Sequence, residues 1–287
     1  MKEHQGQWPI QAMARVLQVS VSGYYDWRKR PASKRTQENK ILSKKIIEYH
    51  QASRATYGSP RIHKDLRSAG HNISLKRVAR LMREVGISGK VKRQFRVTTT
   101  SKHSRPRADN LVNQDFSTEA PNSLWASDIS YIATQEGWLY LAVTLDLFSR
   151  KVIGWAFSDR LIDDLCLRAL EMALRQRDAP LGLIHHSDQG SQYASSRFRN
   201  TLETSAIDQS MSRKGNCYDN AVVESFFATL KTEEVVDSKY ETRQQAKTSI
   251  FSYIEGFYNS KRRHSSLGYL SPVEFESGYS ATLLKVA

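Results

Sequence analysis

The chain has 287 residues, of which 39% are hydrophobic and 25% charged, with 43 Lys and Arg against 29 Asp and Glu for a formal charge of +14. That is enough for about two domains with a buried core, and it excludes disorder throughout. No apolar run reaches the roughly 18–20 residues of a membrane span, and Cys166 and Cys217 lack metal-ligand spacing, so both read as reduced thiols. The opening MKEHQGQW has no apolar signal-peptide core, and a cytoplasmic location with no membrane partner is expected. The charge is uneven. Residues 1–108 hold 25 basic against 6 acidic residues, and residues 109–287 hold 18 against 23. A basic amino-terminal part on a mildly acidic remainder fits a DNA-binding module tethered to a metal-dependent catalytic one, although positive charge alone would also suit a ribosome or a membrane surface.

In chain order, PIQAMARVLQVSVSGYYDWRKR reads as two short helices around a turn. Ala12, Val16 and Leu17 would line an apolar face, and Arg28, Lys29 and Arg30 would end the second helix where cations are favoured. This predicts a partial helix-turn-helix over 1–35, with a small basic hairpin as the plainer reading. PASKRTQENK reads as a polar link. LSKKIIEYHQ, YGSPRIHKDLRSAG and SLKRVARLMREVG then predict three amphipathic helices within a helix-turn-helix-like unit, 36–88, the last running from a Ser74 cap to Gly86. Leu75, Val78, Ala79, Leu81, Met82 and Val85 form the buried stripe of that last helix. Lys76, Arg77, Arg80 and Arg83 point outward and, with Arg61 and Lys64 on the preceding helix, are candidate DNA contacts. Residues 89–123 read as a basic linker that either tracks DNA or serves as an exposed tether.

From 124 to 235 the pattern predicts strands at 125–133, 138–146 and 151–157, a helix at 162–176, a strand at 182–187, a helix at 194–204, a short strand near 208–211 and a helix at 220–234. Asp128 lies in the first strand, Asp188 at the end of the fourth and Glu224 on the last helix, with 35 residues between the latter two. Three acids on separate elements provide hard oxygen ligands for Mg²⁺, with Mn²⁺ able to substitute. A pair of such ions about 3.5–4 Å apart can activate a water or hydroxyl and stabilise a leaving phosphodiester oxygen. Lys231 follows Glu224 by seven residues, roughly 20° short of two turns, so the two share a face and Lys231 suits a DNA phosphate. Asp219 or Asn220 fits the helix start. Asp146 is the rival to Asp128. Of His185 and His186 only one can face the site, since neighbours on a strand alternate; a hydrogen-bonding or phosphate role is expected rather than ligation. Arg213, Lys214 and Asn216 in MSRKGNCYDN are candidate DNA contacts, an ordinary mobile loop being the alternative. Residues 236–287 predict a helical extension with a helix at about 241–258, then Lys261, Arg262, Arg263 and His264. That cluster is assigned to DNA, although cations after a helix also offset its dipole.

WASDISYI, HHSDQGSQY and YDNAVVESFFATLK resemble the DDE catalytic core of retroviral integrases. More closely, they are similar to the OrfB-type transposases of the insertion-sequence-three family, and SVSGYYDWRKR, YGSPRIHKDL and YNSKRRHSSLGYLSP extend the likeness over nearly the whole chain. The resemblance implies an α/β RNase H-like catalytic domain, a mixed five-stranded sheet with helices, preceded by all-α helix-turn-helix DNA-binding units. In that fold the first and fourth strands lie side by side, bringing Asp128 to Asp188, with Glu224 delivered by the late helix. It also implies a Mg²⁺-dependent DNA strand transferase in which Asp128, Asp188 and Glu224 hold two ions. Expected partners are duplex DNA (the element's terminal inverted repeats and target DNA), further copies of the chain, and an upstream-frame fusion partner. The expected setting is bacterial and nucleoid-associated. A catalytically silent DNA-binding regulator and an RNase H-like nuclease are the competing readings.

Overall fold

The computed structural model describes residues 1–91, 105–213 and 217–286. Five helices precede the sheet: α1 (Ile10–Val16), α2 (Val21–Lys29), α3 (Lys34–Ala52), α4 (Ser59–Ser68) and α5 (Leu75–Glu84). Ser33 caps α3 by accepting from the Thr36 amide at 3.2 Å, so most of the expected polar link is helix. Ser74 caps α5 as expected, accepting from the Arg77 amide at 3.3 Å, and Gly86 follows that helix with φ +73°. Leu42, Ile46, Ile62, Leu66, Val78, Leu81 and Met82 close the centre of α3, α4 and α5, whereas Leu75 stays exposed. The expected apolar face of the first hairpin does not form. Val16 and Leu17 are exposed, and Ala14 and Tyr24 are the residues buried.

The alternating run at Asp128 becomes β1 (Leu124–Thr134), which pairs antiparallel with β2 (Gly137–Asp146); β2 pairs likewise with β3 (Lys151–Ser158). After α6 (Asp163–Gln176), β4 (Ile184–Ser187) returns parallel to β1. After α7 (Ser196–Thr204), β5 (Asp208–Met211) lies parallel to β4. The order β3-β2-β1-β4-β5 is the RNase H-like arrangement that the resemblance implies. Helix α8 (Ala221–Leu230) runs into a π-helical turn, Lys231–Val235. Helix α9 (Arg243–Tyr253) ends in a second one, Ile254–Tyr258, and α10 (Pro272–Val286) follows.

Strand alternation divides the core in two. Trp125, Ala142 and Ile153 pack with α6 and α7; Ala126, Ile132 and Val143 pack with α8 and α9. The second cluster is continuous with the apolar centre of α3–α5, so the amino-terminal helices and the sheet share one core. Residues 105–123 are not a free tether: Val112 is buried, the Asp109 carbonyl accepts from the Met211 amide at 3.2 Å, and the Leu111 amide donates to Ser210 Oγ at 2.9 Å. These contacts line the outer edge of β5, which would otherwise expose its backbone groups.

At Gly154 on β3 the helix α6 approaches so closely that a Cβ would sit 2.1 Å from the Ala169 carbonyl oxygen. Backbone cannot yield as a side-chain tip can. Gly154→Ala is expected to destabilise the protein by about 3 kcal/mol, read as a lowered denaturation midpoint; an unchanged midpoint would show that the sheet and α6 can separate freely.

Candidate active site

Asp128 sits on β1 one residue past Ser127, which is paired with Ser187 of β4; Asp188 is the first residue after that strand. The two acids are therefore adjacent across parallel strands. The turn after β4 holds Asp188 through its Oδ1, which accepts from the Gly190 amide at 2.9 Å. A Cβ at Gly190 would lie 2.9 Å from that same oxygen, so glycine keeps the carboxylate seated. Glu224 lies in the first turn of α8, where the helix dipole favours an anion, on the sheet face shared by Ala126 and Ile132.

Asp188 and Glu224 are both within electrostatic reach of Asp128. Burial pushes the Asp128 carboxyl well above the usual carboxylate range, the neighbouring charge of Asp188 pushes it further, and Glu224 adds to this. The bond from the Ile129 amide to Asp128 Oδ1 (2.8 Å) and the Lys231 ammonium oppose the shift. Lys231 lies 5.0 Å above the Tyr131 ring; burial lowers its pKa while Asp128 raises it. Among the described residues no three His, Cys, Asp or Glu side chains close into a ready-made cage for one ion. The donor set nevertheless suits hard divalent cations, since three carboxylates repel one another and a cation among them would offset that repulsion.

Both histidines before Asp188 are buried. His185 Nε2 pairs with Ser127 Oγ at 2.8 Å, and burial followed by His186 lowers its pKa to about 3. His186 Nδ1 pairs with Ser210 Oγ at 2.8 Å. They fasten β4 to its two neighbours, so of the expected roles the hydrogen-bonding one applies and phosphate contact does not. Asp146 is fully buried and accepts from the Asn122 and Phe148 amides in a turn, away from the other acids of the site.

Asp219 has a larger part than the helix cap expected of it. Fully buried, it accepts from the Arg213 amide (2.8 Å), Nε (3.1 Å) and Nη2 (3.0 Å), from Asn110 (3.0 Å) and from Gln114 (3.0 Å). It joins the segment before β1 to the loop that leads into α8. Asn220, at the start of α8, makes no cap bond; its amide donates to the Ser127 carbonyl at 3.3 Å. The polar DN pair before the glutamate helix was the available signal, but two of the partners of Asp219, Asn110 and Gln114, are more than a hundred residues away in sequence.

The candidate DNA residues separate by location. Arg28, Lys29, Arg30, Lys64, Lys76, Arg80 and Arg83 are exposed, with Arg80 within 3.2 Å of Glu84 and Lys64 5.2 Å above the Tyr269 ring. Arg77 turns back to Glu38 (2.8 Å) and Asn39. Arg213 is half exposed while gripping Asp219. Lys214 and Asn216 lie outside the described residues. The assignment of Arg61, Arg262, Arg263 and His264 to DNA is corrected by burial. Arg262 is 6% exposed and bonds both oxygens of Glu233 (2.7 and 2.6 Å). Arg263 reaches Asp65 at 2.6 Å, and Arg61 donates to the Arg263 carbonyl at 2.9 Å. His264 is buried, its pKa lowered to about 2 by burial and then by Arg262.

Comparison with known proteins agrees with this geometry. Residues 118–217 and 224–278 match integrase core domain models, and residues 36–95 match an HTH-like domain. Fold and site together define a polynucleotidyl transferase of the integrase-core class. The InsF transposase of insertion sequence IS3A from Escherichia coli is 42% identical over 96% of this chain and 97% of its own. An uncharacterized 31 kDa protein of insertion element IS600 from Shigella sonnei is 46% identical over 93% of this chain and 98% of its own. The chain belongs to this family of insertion-sequence transposases. Among solved structures, the HTLV-2 integrase catalytic core domain in complex with magnesium is 17% identical with a TM-score of 0.41, over 55% of this chain and 97% of that one. A simian T-cell lymphotropic virus intasome in complex with PP2A regulatory subunit B56 gamma gives 15% and 0.46, over 80% and 74%.

The Asp219 clamp has a pH signature. Its hydrogen bonds to Arg213 lead in lowering its pKa from 3.8 to about 2, so its stabilisation is present above the unfolded value and is lost as pH falls through the folded one. Melting temperatures of wild type and Asp219→Asn should differ at neutral pH and converge between about pH 4 and pH 2. A gap independent of pH would refute the clamp.

Proposed function

We propose that this transposase binds the terminal inverted repeats of its own element, cleaves a 3′ end with water and uses the freed 3′ hydroxyl to attack a second phosphodiester. The reading is carried by the pairing of β1 with β4, which sets Asp128 and Asp188 side by side, with Glu224 and Lys231 on α8 within electrostatic reach of Asp128. The three carboxylates would hold two Mg²⁺ ions, with Mn²⁺ as a substitute. Bound there, the metal supplies an activated nucleophile and charge for the departing oxygen. Lys231 sits where it can hold a phosphate of the scissile strand, while the parallel strands keep Asp128 and Asp188 fixed through each exchange. No protein side chain becomes covalently attached to the DNA.

The exposed basic face of α5 supports DNA binding by the helix-turn-helix-like unit, with Lys76, Arg80 and Arg83 on phosphates. Arg28, Lys29 and Arg30 on α2, with Lys64, Arg77 and Arg213, belong to the same proposal, as do Lys214 and Asn216 by sequence. Action as a homo-oligomer on the DNA and with an upstream-frame fusion partner in a bacterial nucleoid completes the reading. The silent-regulator alternative leaves three mutually repelling acids without a purpose. The nuclease alternative leaves the basic amino-terminal helices without one.

Glu224→Gln removes a ligand oxygen's charge while keeping shape. It is expected to leave binding to DNA from the flanks of the gene intact in a gel shift, and to abolish new 3′ ends and joined products in Mg²⁺. Cleavage by the variant at the wild-type rate would reject the assignment. Lys76→Ala should weaken binding alike for all sequences and reduce the slope of log affinity against log salt by about one; an unchanged slope would take α5 away from the DNA.

A further inference from the structure

Helix α8 does not stop at Lys231. Its dihedral angles stay helical through the π-turn 231–235, which carries the neighbouring acids Glu233 and Glu234, both buried. Two turns of helix and a little more separate Glu224 from Glu233, and the count sets Glu233 about half a turn round the axis from Glu224. One side of a single rod therefore meets the carboxylate cluster. The other meets the amino-terminal helices and the carboxy-terminal segment.

That second side is densely bonded. Glu233 takes both arms of Arg262 (2.7 and 2.6 Å) and the Tyr253 hydroxyl (2.7 Å), with Arg61 of α4 at 3.8 Å. Its backbone carbonyl accepts from Lys90 at 2.9 Å. Glu234 takes Arg54 of the α3–α4 turn at 2.7 Å and the Ser249 hydroxyl. Arg262, Arg61 and His264 crowd together here, and Glu233 is the acid that offsets both arginines. Removing its charge leaves buried guanidinium groups repelling one another directly behind the catalytic helix. Nothing in the carboxylate cluster requires this arrangement. It lies on the opposite side of α8 and touches no reacting atom.

We propose that Glu233 is a positioning residue for the strand-transfer reaction: by clamping the π-turn to Arg262, Tyr253 and Arg61, it sets the roll and depth of α8 and so the placement of Glu224 and Lys231 against Asp128 and Asp188. The inference rests on the DDE reading given above. Its signature is a changed metal requirement, because a displaced Glu224 is a poorer ligand whereas a merely less stable fold binds metal normally once folded.

The test is a Mg²⁺ titration of DNA joining with the full chain, comparing wild type, Glu233→Gln, Leu42→Ala as a destabilised control that removes a buried apolar contact of α3 without touching a bond of Glu233, and Glu224→Gln. Glu233→Gln should keep DNA binding, raise the Mg²⁺ half-saturation point and lower the limiting rate, each by about tenfold, as loss of a supporting contact to a metal site does. Leu42→Ala should lower the melting temperature without moving the half-point. A wild-type half-point in Glu233→Gln, or an equal shift in Leu42→Ala, overturns the inference. Joining by Glu224→Gln overturns instead the reading on which it rests. Should Glu233→Gln fail to fold, Tyr253→Phe, which deletes one hydrogen bond and keeps the ion pair, decides the matter: a raised half-point supports the clamp and an unchanged one overturns it.

Discussion

The parallel pairing of β1 with β4 is the constraint on which the site depends. A four-residue ladder, Leu124 with Ile184 to Ser127 with Ser187, delivers Asp128 and Asp188 side by side at its end. A slip of one residue would turn Asp128 to the other face of the sheet. The register is fastened by more than backbone bonds. His185 on β4 pairs with Ser127 on β1, His186 pairs with Ser210 on β5, and Trp125 fills the core beneath. Two buried neutral imidazoles beside three acids look like metal ligands by composition. Their work is to hold the ladder in place.

This frame explains how carboxylates that raise one another's proton affinity can be kept together. Bringing like charges into a partly buried space is costly, and the cost is sustained only where surrounding structure over-determines their positions. Asp188 is seated by a turn in which a Cβ at position 190 would crowd its carboxylate, and Asp128 lies within a central strand paired on both sides. Glu224 is carried by a helix rather than by the sheet. Asp219 fixes the entry to its helix, and Glu233 fixes the exit. The helix is held at both ends by buried carboxylates that take no part in the chemistry.

Elements with a strong local signal were legible in the amino-acid sequence. Alternation in WASDISYIA, the apolar run before Asp188 and the helical spacing of AVVESFFATLK located β1, β4 and α8, and with them the three acids. Local signals failed where a distant partner decides. PASKRTQENK is polar enough to pass for a link, but the Ser33 cap and the packing of Leu42 and Ile46 make it the beginning of α3. Val16 and Leu17 have helical spacing, yet nothing in the described fold lies over them. Residues 105–123 lack periodicity because they bind as an irregular edge on β5 and gain order from Asp219, far along the chain.

The basic residues carry the same lesson into function. An arginine in a cationic run looks alike whether it meets a phosphate or a buried glutamate, because the acid that decides is not nearby in sequence. Arg61 and Arg54 find theirs 172 and 180 residues on, at Glu233 and Glu234. With those two engaged by acids, the exposed cations are Lys34, Arg35, Lys40 and Lys44 on α3, Lys64 and Arg67 on α4, and Lys76, Arg80 and Arg83 on α5, while Arg61 and Asp65 of α4 bond the carboxy-terminal segment. The unit is thus attached by the side that a free DNA-binding module would leave open, and it shares a core with the sheet. On the proposed function, DNA held on α5 would reach Asp128, Asp188 and Glu224 along a path set by that shared core rather than by a tether.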